Sequence, residues 1–281
     1  MQDSYCIYNG HLISMYEPAI SFTNRAFRYG DSLFESIRYT NGKIMFLADH
    51  VKRIKLSMTT LRMNVPAEFT TSNIEQLIVH LIEQNDIKKD ARFRLTVFRN
   101  EGGFYTPDTN DISFLIESEL IEEKGYVLNQ KGLWVDIYAE IKKPINKISN
   151  IKTGSALLYV MAGITKTSLR LDDCLLVNDN GNIIESISSN IFVVKNGTLY
   201  TSPITDGCVD GVMRKQVLEL AKQHKLLAFE QSLTVHTLTD GDEVFLTNAI
   251  KGIQWVGQFK NKFYTNQKAI FFTEKLNELT K

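Results

Sequence analysis

Leu47, Val51, Ile54, Met58 and Leu61 recur at steps of three and four. That spacing lines one side of a helix and predicts an amphipathic α-helix over 47–61. Just upstream, "LFESIRYTNGKIMF" (33–46) sets Asn41-Gly42 between two apolar runs, the strongest short-range hairpin signal, so two strands around a tight turn are expected. Asn9-Gly10 and Asn196-Gly197 carry the same signal. Ile74, Leu77, Ile78, Leu81 and Ile82 form a second helical stripe, with Ser72 or Asn73 as its cap. "RFRLTVFR" (92–99) and "ISFLIE" (112–117) alternate as half-buried strands do. The charged stretch "SELIEEKG" (118–125) follows and marks a domain boundary, with one α/β domain over 1–120 and a second over 121–281.

In the second half, "LWVDIYA" (133–139), "CLLV" (174–177), residues 183–185 and 190–194, and "DEVFLTNAI" (242–250) read as strands. The almost wholly apolar run after Lys152, through Leu157, Leu158, Met161 and Ile164, reads as a buried helix. "GVMRKQVLELAKQHK" (211–225) and "NQKAIFFTEKLNEL" (266–279) are two further helices. Strands and helices alternate, but hairpins intrude, so the class is mixed α/β (α+β) rather than a regular parallel series. No Gly-x-Gly-x-x-Gly follows a strand and no Walker-type Gly-Lys-Ser is present, which removes the usual nucleotide-binding signatures.

With 281 residues the chain can bury full cores, and 43% hydrophobic with 23% charged residues matches ordinary globular usage. Lys plus Arg and Asp plus Glu balance at 32 each. No global field would gather nucleic acid or an anionic membrane, which leaves a small-molecule partner as the expectation. Cys6, Cys174 and Cys208 are scattered and odd in number, suiting neither a disulfide framework nor a zinc site. The five histidines show no metal-binding spacing, so no metal is expected. "MQDSYCIYNG" lacks the basic and apolar pattern of a secretory signal, and no apolar run reaches the ~18 residues a spanning helix needs. A soluble, cytoplasmic protein is expected. The basic cluster Lys142, Lys143 and Lys147 lacks interleaved aromatics and reads as a solvated loop.

Chemistry concentrates at "SNIKTGSALLYVMAG" (149–163), where Lys152 stands before the apolar run with no carboxylate close in sequence. Such an ammonium either snorkels to the surface or gives up its proton and acts as an amine able to form a Schiff base with a carbonyl group. "IIESISSNIF" (183–192) places Glu185 at a strand end. It is either a solvated bend or a carboxylate that keeps a pyridine nitrogen protonated. The glycine-led helix start Gly211-Val212-Met213 offers uncapped N–H groups and a positive dipole end suited to a phosphate, and Asn248-Ala249 could present further amides. Arg38, Arg94 and Arg99 could each grip a substrate carboxylate bidentately, and each equally suits a structural ion pair.

Glu-x-Ile-x-x-Asn-Ile-Phe (185–192), downstream of Lys152 in "NIKTGSALLYVMA", resembles the signature of the class IV (fold type IV) pyridoxal-phosphate enzymes. That family includes branched-chain and D-amino-acid aminotransferases and aminodeoxychorismate lyases. The likeness covers nearly the whole chain, through "NRAFRYGDSLFESIR" (24–38), "FLADHVKRI" (46–54), "FRNEGGFYTP" (98–107), "CVDGVMR" (208–214) and "DEVFLTNAIKGIQ" (242–254). It implies pyridoxal 5′-phosphate bound as a Schiff base on Lys152, Glu185 against the pyridinium nitrogen, and Arg53 on the phosphate. Asn190, Gly211, Val212, Met213, Asn248 and Ala249 would complete the cofactor site, with Met213 where many relatives carry a threonine. Tyr29, Phe34 and Tyr105 resemble pocket-lining positions for the substrate.

The resemblance further implies a small N-terminal α/β domain, a larger C-terminal pseudo-barrel with the cofactor in the cleft, and a homodimer. The expected activity is amino-group transfer between an amino acid, branched-chain type favoured, and a 2-oxo acid. The alternative is a 4-amino-4-deoxychorismate lyase releasing pyruvate and 4-aminobenzoate. Leu157 points that way, since branched-chain aminotransferases usually carry a tyrosine five residues beyond the lysine. A cofactor-free binding protein on the same fold is the remote alternative.

Overall fold

The computed structural model describes residues 4–17 and 20–281, so the first three residues of the N-terminal stretch lie outside it. The chain divides into two units, one running to Gly125 and regaining Ile151–Ser155 and Thr280, the other holding Tyr126–Asn150 and Ala156–Leu279.

The first unit contains β1 (Tyr5–Tyr8), β2 (His11–Ser14), α1 (Arg25–Tyr29), β3 (Ser32–Thr40), β4 (Lys43–Ile44), α2 (Leu47–Thr60), α3 (Thr71–Gln84), β5 (Ala91–Arg99) and β6 (Ile112–Leu120). Its strands form one antiparallel sheet in the order β2-β1-β6-β5-β3-β4. Alternation sends Ile37, Phe93, Leu95 and Val97 into a core with Val51, Ile54 and Met58 of α2 and Ile74 and Ile78 of α3. Residues of opposite parity on β3 and β5, Phe34, Ser36, Arg92 and Arg94, stay half-exposed. The cap of α3 is Thr70, two residues earlier than expected; its side chain accepts from the Asn73 amide at 3.2 Å. Asn73 is already inside the helix, with its own side chain donating to the Glu68 carbonyl.

The second unit contains β7 (Leu133–Lys143), α4 (Leu157–Ser168), β8 (Asp173–Asn178), β9 (Ile183–Ser186), β10 (Asn190–Lys195), β11 (Thr198–Thr201), α5 (Val212–Gln223), β12 (Ala228–Glu230), α6 (Val235–Asp240), β13 (Glu243–Asn248), β14 (Gly252–Phe259), β15 (Lys262–Phe263) and α7 (Gln267–Leu279). The sheet runs β12-β11-β10-β13-β14-β7-β8-β9, and β9 pairs again with β10 through Glu185 opposite Asn190. That pairing closes β10-β13-β14-β7-β8-β9 into a ring, the pseudo-barrel expected from the motifs. Its interior is packed by Val135, Leu175, Ile191, Val193, Leu246 and Val256.

Two expectations are corrected. The run after Lys152 is helical, but α4 is not buried: Ala162 is its buried residue, while Leu157, Val160 and Ile164 are exposed. The helix packs Leu158, Tyr159 and Ala162 against Tyr138, Leu176 and Ile184, and its remaining apolar stripe faces outward. The single break at 120/121 also misses a return of the chain. β4 covers only Tyr39 and Thr40, leaving the β3 edge open around 32–34. Residues 152–154 fill that edge, with the Phe34 amide donating to the Lys152 carbonyl at 3.0 Å and the Gly154 amide to Ser32 O at 2.8 Å. Charge and composition carry no signal for such a pairing.

All three Asn-Gly pairs turn hairpins with both residues at positive φ; Asn41 and Gly42 sit at 50° and 78°. That backbone suits a two-residue turn matching the strand twist, and only glycine adopts it without strain at the second position. Gly42→Ala, with open space around the added methyl, is therefore expected to cost about 1 kcal/mol from conformation alone, read from urea unfolding midpoints.

Candidate active site

In the first unit, Lys152 rides on the strand-like segment added to β3, which sets its ammonium Nζ 4.1 Å from the centroid of the Phe34 ring. The Arg94 guanidinium lies 3.9 Å from the same centroid. Period-two alternation explains the meeting, because Phe34 and Arg94 share the half-exposed sheet face and Arg94 is registered opposite Ser36. Each cation gains from the ring's negative face, while their mutual repulsion favours an anion beside them.

Arg53 projects from α2 toward the opposite face of β3. Its Nε donates to Glu35 Oε1 at 2.7 Å and its Nη2 to Glu35 Oε2. His50 Nδ1 lies 2.7 Å from the same Oε2. Burial pushes the Glu35 carboxyl up, but Arg53 and then His50 outweigh it and hold it at about 2. Arg53 is thus aimed by a buried carboxylate and remains partly accessible.

Two arginines expected on substrate are committed inside the fold. Arg38 is buried and donates to Asp90 Oδ2 at 2.8 Å and to the Glu123 carbonyl at 2.7 Å. Arg99 is buried and donates to Asp31, Asn110 and the Leu61 carbonyl. Both are structural: releasing Arg38 would leave the buried Asp90 carboxylate uncompensated, and releasing Arg99 would leave a buried guanidinium without its three partners. Tyr29 and Tyr105 pair with ring centroids 5.4 Å apart, and Tyr105 is largely exposed.

In the second unit, Glu185 ends β9 and is 2% exposed. Its Oε1 accepts from Lys143 Nζ at 2.6 Å and from the Tyr159 hydroxyl at 2.9 Å; its Oε2 accepts from the Val209 amide at 2.7 Å. Burial, then the Glu185 charge, pushes the Tyr159 phenol up, so it stays a donor. Asn190, opposite Glu185 at the ring closure, donates to the Val209 carbonyl at 2.8 Å. Next to it the chain enters α5 at Gly211 with no side-chain cap, so the first amides of the helix, at Val212 and Met213, have no intrahelical partner. A Cβ on Gly211 would stand 1.9 Å from Asn190 Oδ1, so only glycine permits this approach. Asn248 ends β13, where its side chain donates to Ser189 and accepts from the Ile250 and Lys251 amides, with Ala249 inside that turn.

The register therefore brings Glu185, Asn190, Gly211, Val212 and Met213 together, with Asn248 joined through Ser189. Lys143 is the residue that sequence reasoning misplaced: it is buried on Glu185, not solvated. A shift in the β7–β8 ladder between Tyr138 and Lys143 breaks the alternation that would have predicted its side. Tyr159 carried no signal beyond its place in an apolar run. Among the described residues no His, Cys, Asp and Glu group could hold a metal ion, and no helix is long and apolar enough to cross a membrane.

The first unit thus presents an amine beside an aromatic ring, and the second a buried, hydrogen-bonded carboxylate near an uncapped helix start. Residues 32–259 match the amino-transferase class IV family, and the chain belongs to it. It is an enzyme of the class IV aminotransferase type. A protein of Methanocaldococcus jannaschii assigned as a branched-chain-amino-acid aminotransferase is 27% identical over 96% of this chain and 93% of its own. Two solved structures share the fold. The branched-chain amino acid aminotransferase of Thermobaculum terrenum in its PLP form has a TM-score of 0.86 at 22% identity, covering 99% of this chain and 94% of its own. A Legionella pneumophila protein assigned as a 4-amino-4-deoxychorismate lyase has a TM-score of 0.82 at 24% identity, covering 95% and 97%.

Glu35→Gln removes a buried carboxylate that pairs Arg53 and His50 and is expected to cost about 3 kcal/mol at neutral pH. Because the folded carboxyl is depressed, its stabilisation is complete above the unfolded value near pH 4.5 and is lost as pH falls toward 2. Chemical unfolding should show a steeper stability loss between pH 4.5 and 2 in the parent chain than in the variant.

Proposed function

We propose that this chain binds pyridoxal 5′-phosphate on Lys152 and transfers amino groups between an amino acid of branched-chain type and a 2-oxo acid. The observation that carries the reading is the Glu185 carboxylate. Among the described residues its Oε1 has two donors and its Oε2 one, so Oε2 retains the capacity to accept a further N–H. The close Gly211–Asn190 approach, the uncapped start of α5 and the buried, unpartnered Thr247 Oγ1 just before Asn248 also fit a cofactor with a phosphate tail.

When bound, the cofactor supplies an electron-withdrawing ring that stabilises negative charge at the substrate α-carbon. Lys152 would hold it covalently through the side-chain amine. With its amine free, Lys152 would carry the substrate α-proton at Nζ as base and then acid. Glu185 Oε2 keeps a proton on the ring nitrogen. Arg53 and the amides of Val212 and Met213 hold the phosphate, aided by the turn at Asn248 and Ala249; Met213 brings no hydroxyl. Asn190 braces Glu185 and Gly211. Arg94 grips the substrate carboxylate, with Phe34 as an apolar wall and Tyr29 and Tyr105 toward the substrate.

The second reading, a 4-amino-4-deoxychorismate lyase, is favoured by Leu157, which brings an exposed apolar side chain and no hydroxyl to the position five beyond Lys152. Leucine with 2-oxoglutarate, assayed beside aminodeoxychorismate, separates the two. Keto-acid formation without pyruvate release supports the aminotransferase, and the reverse supports the lyase.

The active form is proposed to be a homodimer, supported by Leu157, Val160, Met161 and Ile164, which leave a helical stripe of α4 open. Sedimentation should give twice the 32.1 kDa chain mass, and Val160→Glu should shift it toward monomer.

Purified protein should be yellow, and borohydride should fix the colour to Lys152. Lys152→Ala should lower turnover by about a thousandfold or more with the fold intact, and Glu185→Gln by about a hundredfold. Full activity in either folded variant removes that residue from the mechanism.

A further inference from the structure

One buried ion pair touches the carboxylate that the proposed chemistry uses. Lys143, at the last position of β7, is 7% exposed and places Nζ 2.6 Å from Glu185 Oε1. The Tyr159 hydroxyl reaches the same oxygen at 2.9 Å, and its ring lies 5.6 Å from Lys143 Nζ. Cys208 is an ionisable neighbour of both; burial pushes its thiol up to about 12, so it stays neutral beside the pair. No other salt bridge of Lys143 or Glu185 exists among the described residues.

We propose that Lys143 is a positioning residue for the cofactor: with Tyr159 it saturates Glu185 Oε1, keeps the buried carboxylate charged, and so reserves Oε2 for the ring nitrogen. The physical reason is that a carboxylate in a barrel wall is stable as an anion only with a cation or several donors in contact. A lysine at the far oxygen supplies that cation without occupying the oxygen the cofactor needs. Two donors on one oxygen also remove the carboxylate's freedom to rotate. Tyr159 shares the task through a neutral hydrogen bond, so its removal should matter less than loss of the charge.

This rests on the proposed contact between Glu185 and the ring nitrogen. The test is titration of the apo-protein with pyridoxal phosphate, read by cofactor absorbance and by dissociation constant, in Lys143→Met, Lys143→Arg, Tyr159→Phe, Glu185→Gln and the Lys143→Met/Glu185→Gln double variant. Lys143→Met should raise the dissociation constant about tenfold and move the bound-cofactor absorption toward that of Glu185→Gln. Lys143→Arg should restore both to within about threefold, and Tyr159→Phe should fall between Lys143→Arg and Lys143→Met. In the Glu185→Gln background, Lys143→Met should weaken binding no further, because the group it acts through is gone.

Parent-like affinity and spectrum in folded Lys143→Met, or a loss that simply adds to that of Glu185→Gln, overturns the proposal. Should Lys143→Met not fold, the double variant, free of both buried charges, is compared with Glu185→Gln alone: equal constants support the coupling and a further loss overturns it. Glu185→Gln that keeps parent affinity, spectrum and turnover instead overturns the contact between Glu185 and the ring. An impaired Glu185→Gln beside an unchanged Lys143→Met sinks only the role of Lys143.

Discussion

Taking one carboxylate out of water and keeping it charged is the constraint on which the larger unit of this chain turns. An unpaired anion at the buried position of Glu185 would cost several kcal/mol, which the protein offsets with donors from three separate stretches of chain. Lys143 comes from the end of β7, Tyr159 from the first turn of α4 and the Val209 amide from the approach to α5. Each must be in place for the others to be stable. Glu185 also faces Asn190 where β9 meets β10, so the ring of strands closes at the carboxylate proposed to meet the cofactor. Asn190 ties the same point to the Val209 carbonyl and crowds Gly211 at the start of α5. Barrel closure, helix start and buried carboxylate are tied together by the same few contacts.

The smaller unit solves a parallel problem with the two faces of β3. Odd positions enter the core, and there Glu35 is made tolerable by Arg53 and His50. On the other face Phe34 and Ser36 remain half-exposed, and Lys152 and Arg94 both sit over Phe34. A single strand thereby separates a buried charge network that holds an arginine in place from an open face that gathers two cations. The lysine reaches that face because residues 152–154 pair with the edge β4 leaves open, although the residues flanking 151–155 belong to the other unit. Backbone hydrogen bonds thus fix the amine more tightly than its flexible side chain would suggest.

The two kinds of arginine show why functional readings of charge are hard to make from position alone. Arg38, Arg94 and Arg99 all stand on the first sheet, and all have the reach to hold a carboxylate. Arg38 meets Asp90, fifty-two residues away, and Arg99 meets Asp31, sixty-eight residues away. Arg94 has a ring beneath it and no hydrogen-bonded carboxylate among the described residues. Lys143 is the opposite case, reading as part of a solvated basic cluster until the fold brings Glu185 to it over forty-two residues.

What the sequence by itself determined is what depends on neighbours along the chain. The three Asn-Gly turns, the helical stripes of α2 and α3, the alternation of β5 and the ordered motifs around Lys152 and Glu185 are all set by local backbone preference and by which face must be dry. The tertiary structure alone decided which charges are spent inside the fold, that 151–155 leaves one unit for the other, and that the apolar stripe of α4 faces outward. Those outcomes depend on partners dozens of residues distant, and a charged or apolar side chain has the same local signature whether its partner is water, a buried ion or another surface.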